Sequence, residues 1–570
     1  MIRKVFFLFL SVCQVLTTSA QKKDPKWLDN AKKAIVTVET ITKDGMTKTG
    51  TGFIISENGE AIASYEVFRK ADKGFVITSG GDRLPVTHIL GADEMYGVIR
   101  FKVAVPKKNA FLPVAKVSPV MNTTVYLPPS NEEKNLAQGA ITEITKMNGS
   151  YDYFKIEMPL PQSQLGFPLL TETGEVFALT QVDASAKGNT YGLSIAYIQS
   201  LQISATDMFK KTYSEISIRN AWASDLDDAR IALILYSSQQ DAATYLETIT
   251  DFIVTFPNEA EGYLDRASHY AYKRKELAST NNEQMQLLDK AWNDLESAAK
   301  FSKDKGRGFY NKARLVFGVV AGDSLPSYKN WNMKTVDENL QKAIKESNLP
   351  VYRQLEGEIA FFMGDYEKAY ASFSFVNQSS ESSGASFYLA AKSKQQLEGT
   401  NLLEIISLID SAIAKSPLDE AAVYLLENID LKLQLGLYDQ IINDYNKYLI
   451  ITNGNVSDAF YYYRHQAKFR TGDLEGALKD LEMAIMMDKT NAVYFAEKAS
   501  VCLRLNDIPK ALESVEKALE LDDEFASAYR ILGVCLVRQE KQSEACTHFN
   551  KAKELGDTIV ERLIKDNCSE

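Results

Sequence analysis

A step of 34 residues governs what the last third of this chain can fold into. Ala477, Ala511 and Ala545 keep that step, as do Tyr461, Phe495 and Tyr529; His465, Ala499 and Gly533; Leu481, Val515 and Phe549; and Ala484, Ala518 and Ala552. Small residues recur where two helices would cross, and large apolar ones flank them. This is the pattern of stacked helical hairpins, each too small to bury its own apolar face and each completed by its neighbour. The repeat runs backward with looser steps through Gly364 to Ala369, Ala412 with Pro417, and Pro257 to Ala267. It predicts eight or nine hairpins over 207–556 and a capping helix and tail over 557–570, the cap covering the last apolar face. Ser379 to Ser386 reads as a serine-rich loop between repeats.

Before the repeats the chain has a different texture. Short β-branched runs, such as Ile35 to Val38, Gly52 to Ile55, Phe75 to Thr78, Thr124 to Leu127 and Val176 to Leu179, are broken by turn signals at Asn58-Gly59 and Ser79-Gly80-Gly81-Asp82. Many short strands at this spacing predict an all-β barrel or sandwich, here over 26–203. The change from strand to helix falls between Leu201 and Thr212.

Residues 1–20 stand apart. Arg3 and Lys4 precede an apolar run from Val5 to Leu10 that fades by Leu16 and ends in Thr18-Ser19-Ala20, the form of a cleavable export signal with cutting before Gln21. Cys13 follows the bulky Val12, a poor fit to a lipid-anchor motif. No other apolar run approaches the roughly 20 residues a membrane helix needs. The net charge of −11 becomes more negative once Arg3 and Lys4 leave, which disfavours nucleic acid as a partner. Cys502, Cys535, Cys546 and Cys568 all lie in the last seventy residues, so no disulfide framework spans the fold. They read as small buried apolar side chains or as one local bridge, with Cys535 to Cys546 the favoured pair.

The repeats resemble the tetratricopeptide family, with Gly472-Asp473-Leu474-Glu475-Gly476-Ala477 matching its turn into a second helix. The β segment resembles trypsin-like serine proteases of the HtrA branch, on Gly50-Thr51-Gly52-Phe53-Ile54-Ile55 through Gly59 and on the flanks of three landmarks. The resemblance implies an all-β trypsin-like double barrel followed by an all-α repeat solenoid. It also implies that the catalytic positions are lost. Glu66 in Ala63-Ser64-Tyr65-Glu66-Val67 stands at the base, Gly97 in Gly91 to Val103 at the orienting aspartate, and Leu165 in Ser163-Gln164-Leu165-Gly166-Phe167-Pro168-Leu169 at the nucleophile. Leucine has no lone pair and glycine no side chain, so triad hydrolysis is not expected. Ser163 and Phe167 bring side chains into an oxyanion loop the family builds from glycine, and Phe167 is expected to fill the specificity pocket if the loop keeps its path.

No other chemistry stands out. His88 is the sole histidine of the β segment and reads as a satisfied strand residue; no spacing draws it to Ser163 and Glu66. No His/Cys cluster has metal-ligand spacing, no glycine-rich phosphate loop occurs, and no cofactor is expected. The working surface expected instead is the concave face of the repeats. There the resemblance aims Arg470, Arg504 and Arg538, again in steps of 34, at a carboxylate-bearing or extended protein or peptide partner, with Tyr462 and Arg530 nearby. The function expected is an exported, periplasmic or extracellular, non-enzymatic binding scaffold. The alternatives are a serine-type peptidase using non-standard residues and a holdase chaperone. Oligomeric state is not readable.

Overall fold

The computed structural model describes residues 24–181, 188–323 and 327–568, so the export signal read at 1–20 lies outside the described residues. Two compact units divide the chain: Met1–His269 with Lys275–Asn281, and Tyr270–Arg274 with Asn282–Glu570.

The first unit holds two closed antiparallel barrels of six strands each. The strands of the first are β1 (Ile35–Thr42), β2 (Thr47–Ile54), β3 (Glu60–Ser64), β4 (Ala71–Ile77), β5 (Arg83–Asp93) and β6 (Val98–Val103), in the order β1-β2-β3-β6-β5-β4. The second comprises β7 (Thr124–Leu127), β8 (Ala137–Met147), β9 (Tyr151–Glu157), β10 (Pro168–Leu170), β11 (Val176–Gln181) and β12 (Thr190–Ser194), in the order β10-β11-β12-β9-β8-β7. Read around the ring, the two orders are the same topology. Alternation explains the strands: Val36, Val38 and Thr40 of β1 point inward while Thr37 faces out. Gly52 is required by close approach, since a Cβ there would meet the Ile62 carbonyl oxygen at 2.9 Å. Ser79 to Asp82 forms the β4–β5 hairpin turn, with Gly81 at φ +88 and Thr78 N–H donating to Asp82 O at 3.0 Å. Val38, Phe68, Ile99 and Phe101 fill the first barrel; Val125, Phe154, Ile156 and Phe177 fill the second, the two phenylalanines meeting edge to face at 5.1 Å.

This unit also takes in helices. Ile89 N–H donates to Arg219 O, and Ala221 N–H to Ile89 O, both at 2.8 Å, so residues 219–221 lie along β5 before Leu226–Ser237 and Ala242–Thr255 form a hairpin.

The second unit is a run of antiparallel helices ending with Asp458–Thr471 and Leu474–Met487, Ala492–Arg504 and Ile508–Leu521, Ala526–Arg538 and Gln542–Glu554, then Val560–Asn567. Its turns follow from the sequence. Gly472 closes one helix in the left-handed conformation at φ +86, and the Asp473 side chain accepts from Gly476 N–H at 2.9 Å to open the next. Gly364 and Asp365 do the same at another hairpin. The crossing residues Ala477, Ala511 and Ala545 are fully buried, and a Cβ on Gly533 would meet Phe549 Cε1 at 2.4 Å. The favoured Cys535 to Cys546 pairing is overturned: Cys546 is bonded to Cys568, while Cys502 and Cys535 are free thiols. Cys535 points into the apolar core of the last hairpins, whereas Cys546 sits partly exposed where the final helix crosses.

Candidate functional site

The three landmark loops of the β segment converge at one end of β11. β3 runs into the single helical turn Tyr65–Phe68, which carries Glu66, and Tyr65 N–H donates to Gly97 O at 2.9 Å. Gly97 sits in the β5–β6 turn at φ +63, a conformation glycine adopts freely. Gln181 of β11 donates from Nε2 to Tyr96 O at 3.2 Å, next to that glycine. One residue earlier, the Thr180 hydroxyl donates to Gln164 O at 2.8 Å and accepts from Phe167 N–H at 2.9 Å, while Gly166 N–H donates to Thr180 O at 3.3 Å. The loop from Gln162 to Phe167 is therefore pinned on both sides of Leu165.

The framework is built, but the side chains it presents are not a nucleophile and its base. Leu165 is half-buried. Glu66 is exposed and pairs with Arg69 at 3.0 Å; Arg69 also binds Glu94. The aspartate this segment does contain, Asp93, accepts from Tyr96 N–H at 3.0 Å and from the Tyr197 hydroxyl, so it caps the turn. Phe167 is 4 % exposed and packs into the second barrel among Val125, Leu127 and Phe177.

His88 is not gathered to Ser163 or Glu66. Its Nε2 lies 3.3 Å from both carboxylate oxygens of Asp251, on the helix Ala242–Thr255 of the same unit. Trp222 Nε1 donates to the same carboxylate at 2.9 Å and Arg219 stands 3.6 Å away. Burial opposes the charge on Asp251, yet the hydrogen bond from His88, its charge, Arg219 and Trp222 together hold that carboxyl below the usual carboxylate range. Sequence reading missed this cluster because its members come from residues 88, 219, 222 and 251, with no spacing to unite them.

Arg470, Arg504 and Arg538 are all exposed, each in the last turn of a helix, two residues before a left-handed cap at Gly472, Asn506 or Glu540. The free carbonyls there favour a cation. Arg504 stacks its guanidinium 4.2 Å from the Phe469 ring centroid, which fixes the orientation of its donors. Arg530 behaves differently: its Nε donates to Asp557 at 2.6 Å, in the turn before the terminal helix. Tyr462 lies against Tyr494 and His465, with ring centroids 5.2 and 5.0 Å apart.

His465 occupies the crossing position taken by Ala499 and Gly533 in the next repeats and is 1 % exposed. Burial lowers its pKa to about 4, against the opposing pull of the Tyr462 carbonyl and of Asp480; Glu497 lies 4.0 Å from Nε2. A folded pKa below the unfolded value of about 6.5 means the folded state binds fewer protons, so this contribution is intact above pH 6.5 and is lost as pH falls toward 4. The expected loss is about 2 kcal/mol by pH 5, from about 1.4 kcal/mol per pKa unit. His465→Ala should flatten that part of the curve of urea midpoint against pH; an unchanged curve would refute the assignment.

A cleft of about 630 Å³ opens between the two barrels, lined by Lys32, Thr37, Thr51, Thr78, Ser79, Ser130, Asn131 and Lys134 over a floor that includes Ile35, Val36, Ile77 and Phe167. None of the landmark residues Glu66, Gly97 or Leu165 lines it. Among the described residues no group of three or more His, Cys, Asp or Glu is placed to hold a metal, and no helix is long and apolar enough to cross a membrane.

No family model matches this chain. A TPR repeat-containing protein of Methanocaldococcus jannaschii is 24 % identical over 348 residues, 60 % of this chain and 52 % of the relative. Small glutamine-rich tetratricopeptide repeat-containing proteins of Saccharomyces cerevisiae and Dictyostelium discoideum are 30 % identical over 95 residues and 35 % over 89, each 16 % of this chain and 28 % and 27 % of theirs. The chain thus spans about half or less of the length of these relatives. Among solved structures, the active form of a protease from M. tuberculosis matches 31 % of this chain and 85 % of its own at 17 % identity and TM-score 0.26. A serine endoprotease from Yersinia pestis matches 34 % and 68 % at 18 % identity and TM-score 0.26. The fold itself is a pair of closed six-stranded antiparallel barrels followed by a TPR-like helical array.

Proposed function

We propose that this chain is an exported, non-catalytic scaffold whose repeats dock a protein or peptide partner and whose barrels serve as a second binding or structural module. The observation that carries the reading is the setting of Leu165: hydrogen bonds to Thr180 pin its loop, yet the residue held there has no lone pair, Glu66 is paired with Arg69, and His88 with Asp251. Nucleophilic catalysis needs a hydroxyl or thiol beside a base that a third group orients, and these neighbours supply none of the three. The tetratricopeptide relatives support the array as a protein-binding surface, since stacked hairpins present an extended face to partners. The Cys546–Cys568 bridge supports an oxidising compartment and hence export, alongside the leader-like residues 1–20.

The enzymatic side is tested with a fluorescent fluorophosphonate probe on the full chain. No labelling is expected, and none on Leu165→Ser, because a restored hydroxyl still lacks a base; labelling of the unmodified chain would overturn the reading. The docking side is tested by affinity capture from envelope extracts with the full chain and with a variant carrying Arg470→Glu, Arg504→Glu and Arg538→Glu. At least a tenfold loss of a retained partner is expected. Undiminished capture by the variant would remove the arginine ladder from the site.

A further inference from the structure

We propose that the cleft between the two barrels binds an extended, acidic peptide segment, held by Lys32 and Lys134. This deepens the reading of the barrels as a binding module and rests on it. The cleft is assembled from both barrels. Lys32 closes the helix Leu28–Ala34, Thr37 and Thr51 come from β1 and β2, Thr78 and Ser79 from the β4–β5 turn, and Ser130, Asn131 and Lys134 from the β7–β8 connection. Its lining carries two cations, five hydroxyls and one amide, and no carboxylate. That bias is notable in a chain with 75 acidic and 64 basic residues.

Both lysines are exposed, and neither ammonium makes an ion pair among the described residues. The acidic residues nearest in sequence, Asp29 beside Lys32 and Glu132 and Glu133 beside Lys134, do not line the cleft; the backbone N–H groups of Glu132 and Glu133 donate to Ser130 Oγ at 3.2 and 2.9 Å, closing the loop. Gln164 anchors the loop's start, donating from Nε2 to Pro128 O at 2.6 Å. A volume of about 630 Å³ is within the range of ligand sites and fits a few extended residues rather than a lone ion. Phe167, Ile35 and Ile77 give such a segment an apolar floor, the hydroxyls and Asn131 offer partners for its amides, and the two ammonium groups take its carboxylates. Small anions would satisfy the lysines but leave the floor uncovered.

The test uses the full chain and two fluorescein-labelled probes, acetyl-Glu-Val-Glu-Val-Glu-amide and its counterpart with glutamine at every glutamate. Fluorescence anisotropy is expected to show the acidic peptide binding at least tenfold more tightly, with affinity falling as salt rises. The Lys32→Glu/Lys134→Glu variant should lose at least tenfold, and its thermal midpoint should be unchanged because both side chains are solvated and unpaired. Equal binding of the two peptides, undiminished binding by the variant, or no binding of either probe at millimolar concentration would overturn the proposal. Displacement of the peptide by inorganic phosphate at equal concentration would also overturn it in favour of a small-anion site. The arginine substitutions in the repeats leave this assay unaffected, so failure here and failure of the array reading are separable.

Discussion

Asp480→Ala is expected to lower the stability of the helical array by roughly 3–5 kcal/mol, the cost of stranding buried charge. The Asp480 carboxylate is nearly inaccessible and accepts from Arg464 Nε at 2.8 Å and Nη2 at 2.5 Å and from Lys468 Nζ at 2.9 Å. With alanine there, two cations that are 9 % and 13 % exposed lose their counter-ion. Nearby water cannot replace it, and both desolvation penalties remain. The measurement is the urea midpoint of the helical circular-dichroism signal. Arg470→Ala, on an exposed side chain of the helix that carries Arg464 and Lys468, should move stability by no more than about 0.5 kcal/mol. Replacing Arg464, Lys468 and Asp480 together by Met, Met and Leu should recover most of the loss, because the charges leave as a set. A cost for Asp480→Ala below about 1 kcal/mol would show the cluster to be solvated. The same arrangement recurs one hairpin earlier, where Lys432, 2 % exposed, bonds Asp444 at 2.6 Å and Asp410 at 2.9 Å. Burial, the largest influence there, pushes the Asp444 carboxyl up despite the lysine. In the following repeat the positions corresponding to Arg464, Lys468 and Asp480 hold Lys498, Cys502 and Ser514, so the buried carboxylate is gone and Lys498 lies 3.7 Å from Glu482 instead.

Loss of the Cys546–Cys568 bridge is expected to cost about 3 kcal/mol, from the chain entropy that a closed loop of this size removes from the unfolded state. The separation is 22 residues, and the loop includes the helix Val560–Asn567, in which only Val560 is fully buried. So short a helix has little apolar area of its own to hold it, and the crosslink does that work. Cys546→Ser/Cys568→Ser should therefore lower the thermal midpoint, and limited proteolysis should cut first near Asp557 to Ile559. Cys502 and Cys535 should resist alkylation in the folded chain: burial pushes the Cys535 thiol up to about 12 and the Cys502 thiol in the same direction, and the thiolate is the reactive form. An unchanged midpoint for the double serine variant would show that packing alone seats the terminal helix.

Elements whose cause is local were readable from the chain. The hairpins announce themselves because Gly472 with Asp473, and Gly364 with Asp365, carry the left-handed cap and the N-cap within two adjacent residues. The barrels announce themselves through strand alternation and through turns such as Ser79 to Asp82. What could not be read depends on long-range placement. Cys535 and Cys546 looked like partners across a hairpin, but helix phase turns one into the core and the other toward Cys568. Lys32 and Lys134 are unremarkable lysines until two barrels bring them to one cleft. Arg530 shares its repeat with Arg538, yet only the folded chain brings Asp557 against it. His88 read as a satisfied strand residue, and so it is, although its partner on a helix from the far side of the domain change had no signal in the spacing.

The closure of both sheets limits how this molecule can recognise anything. A peptide that adds itself to an open sheet is held by a main-chain ladder and is read only weakly for sequence. Closed rings of strands leave no full edge for such a ladder, and the main-chain groups of Ile89 on β5 are already taken by residues 219–221. Whatever the barrels hold must be gripped by side chains, so discrimination among ligands rests on charge and shape and is open to change by single substitutions at the rim, with the scaffold beneath undisturbed.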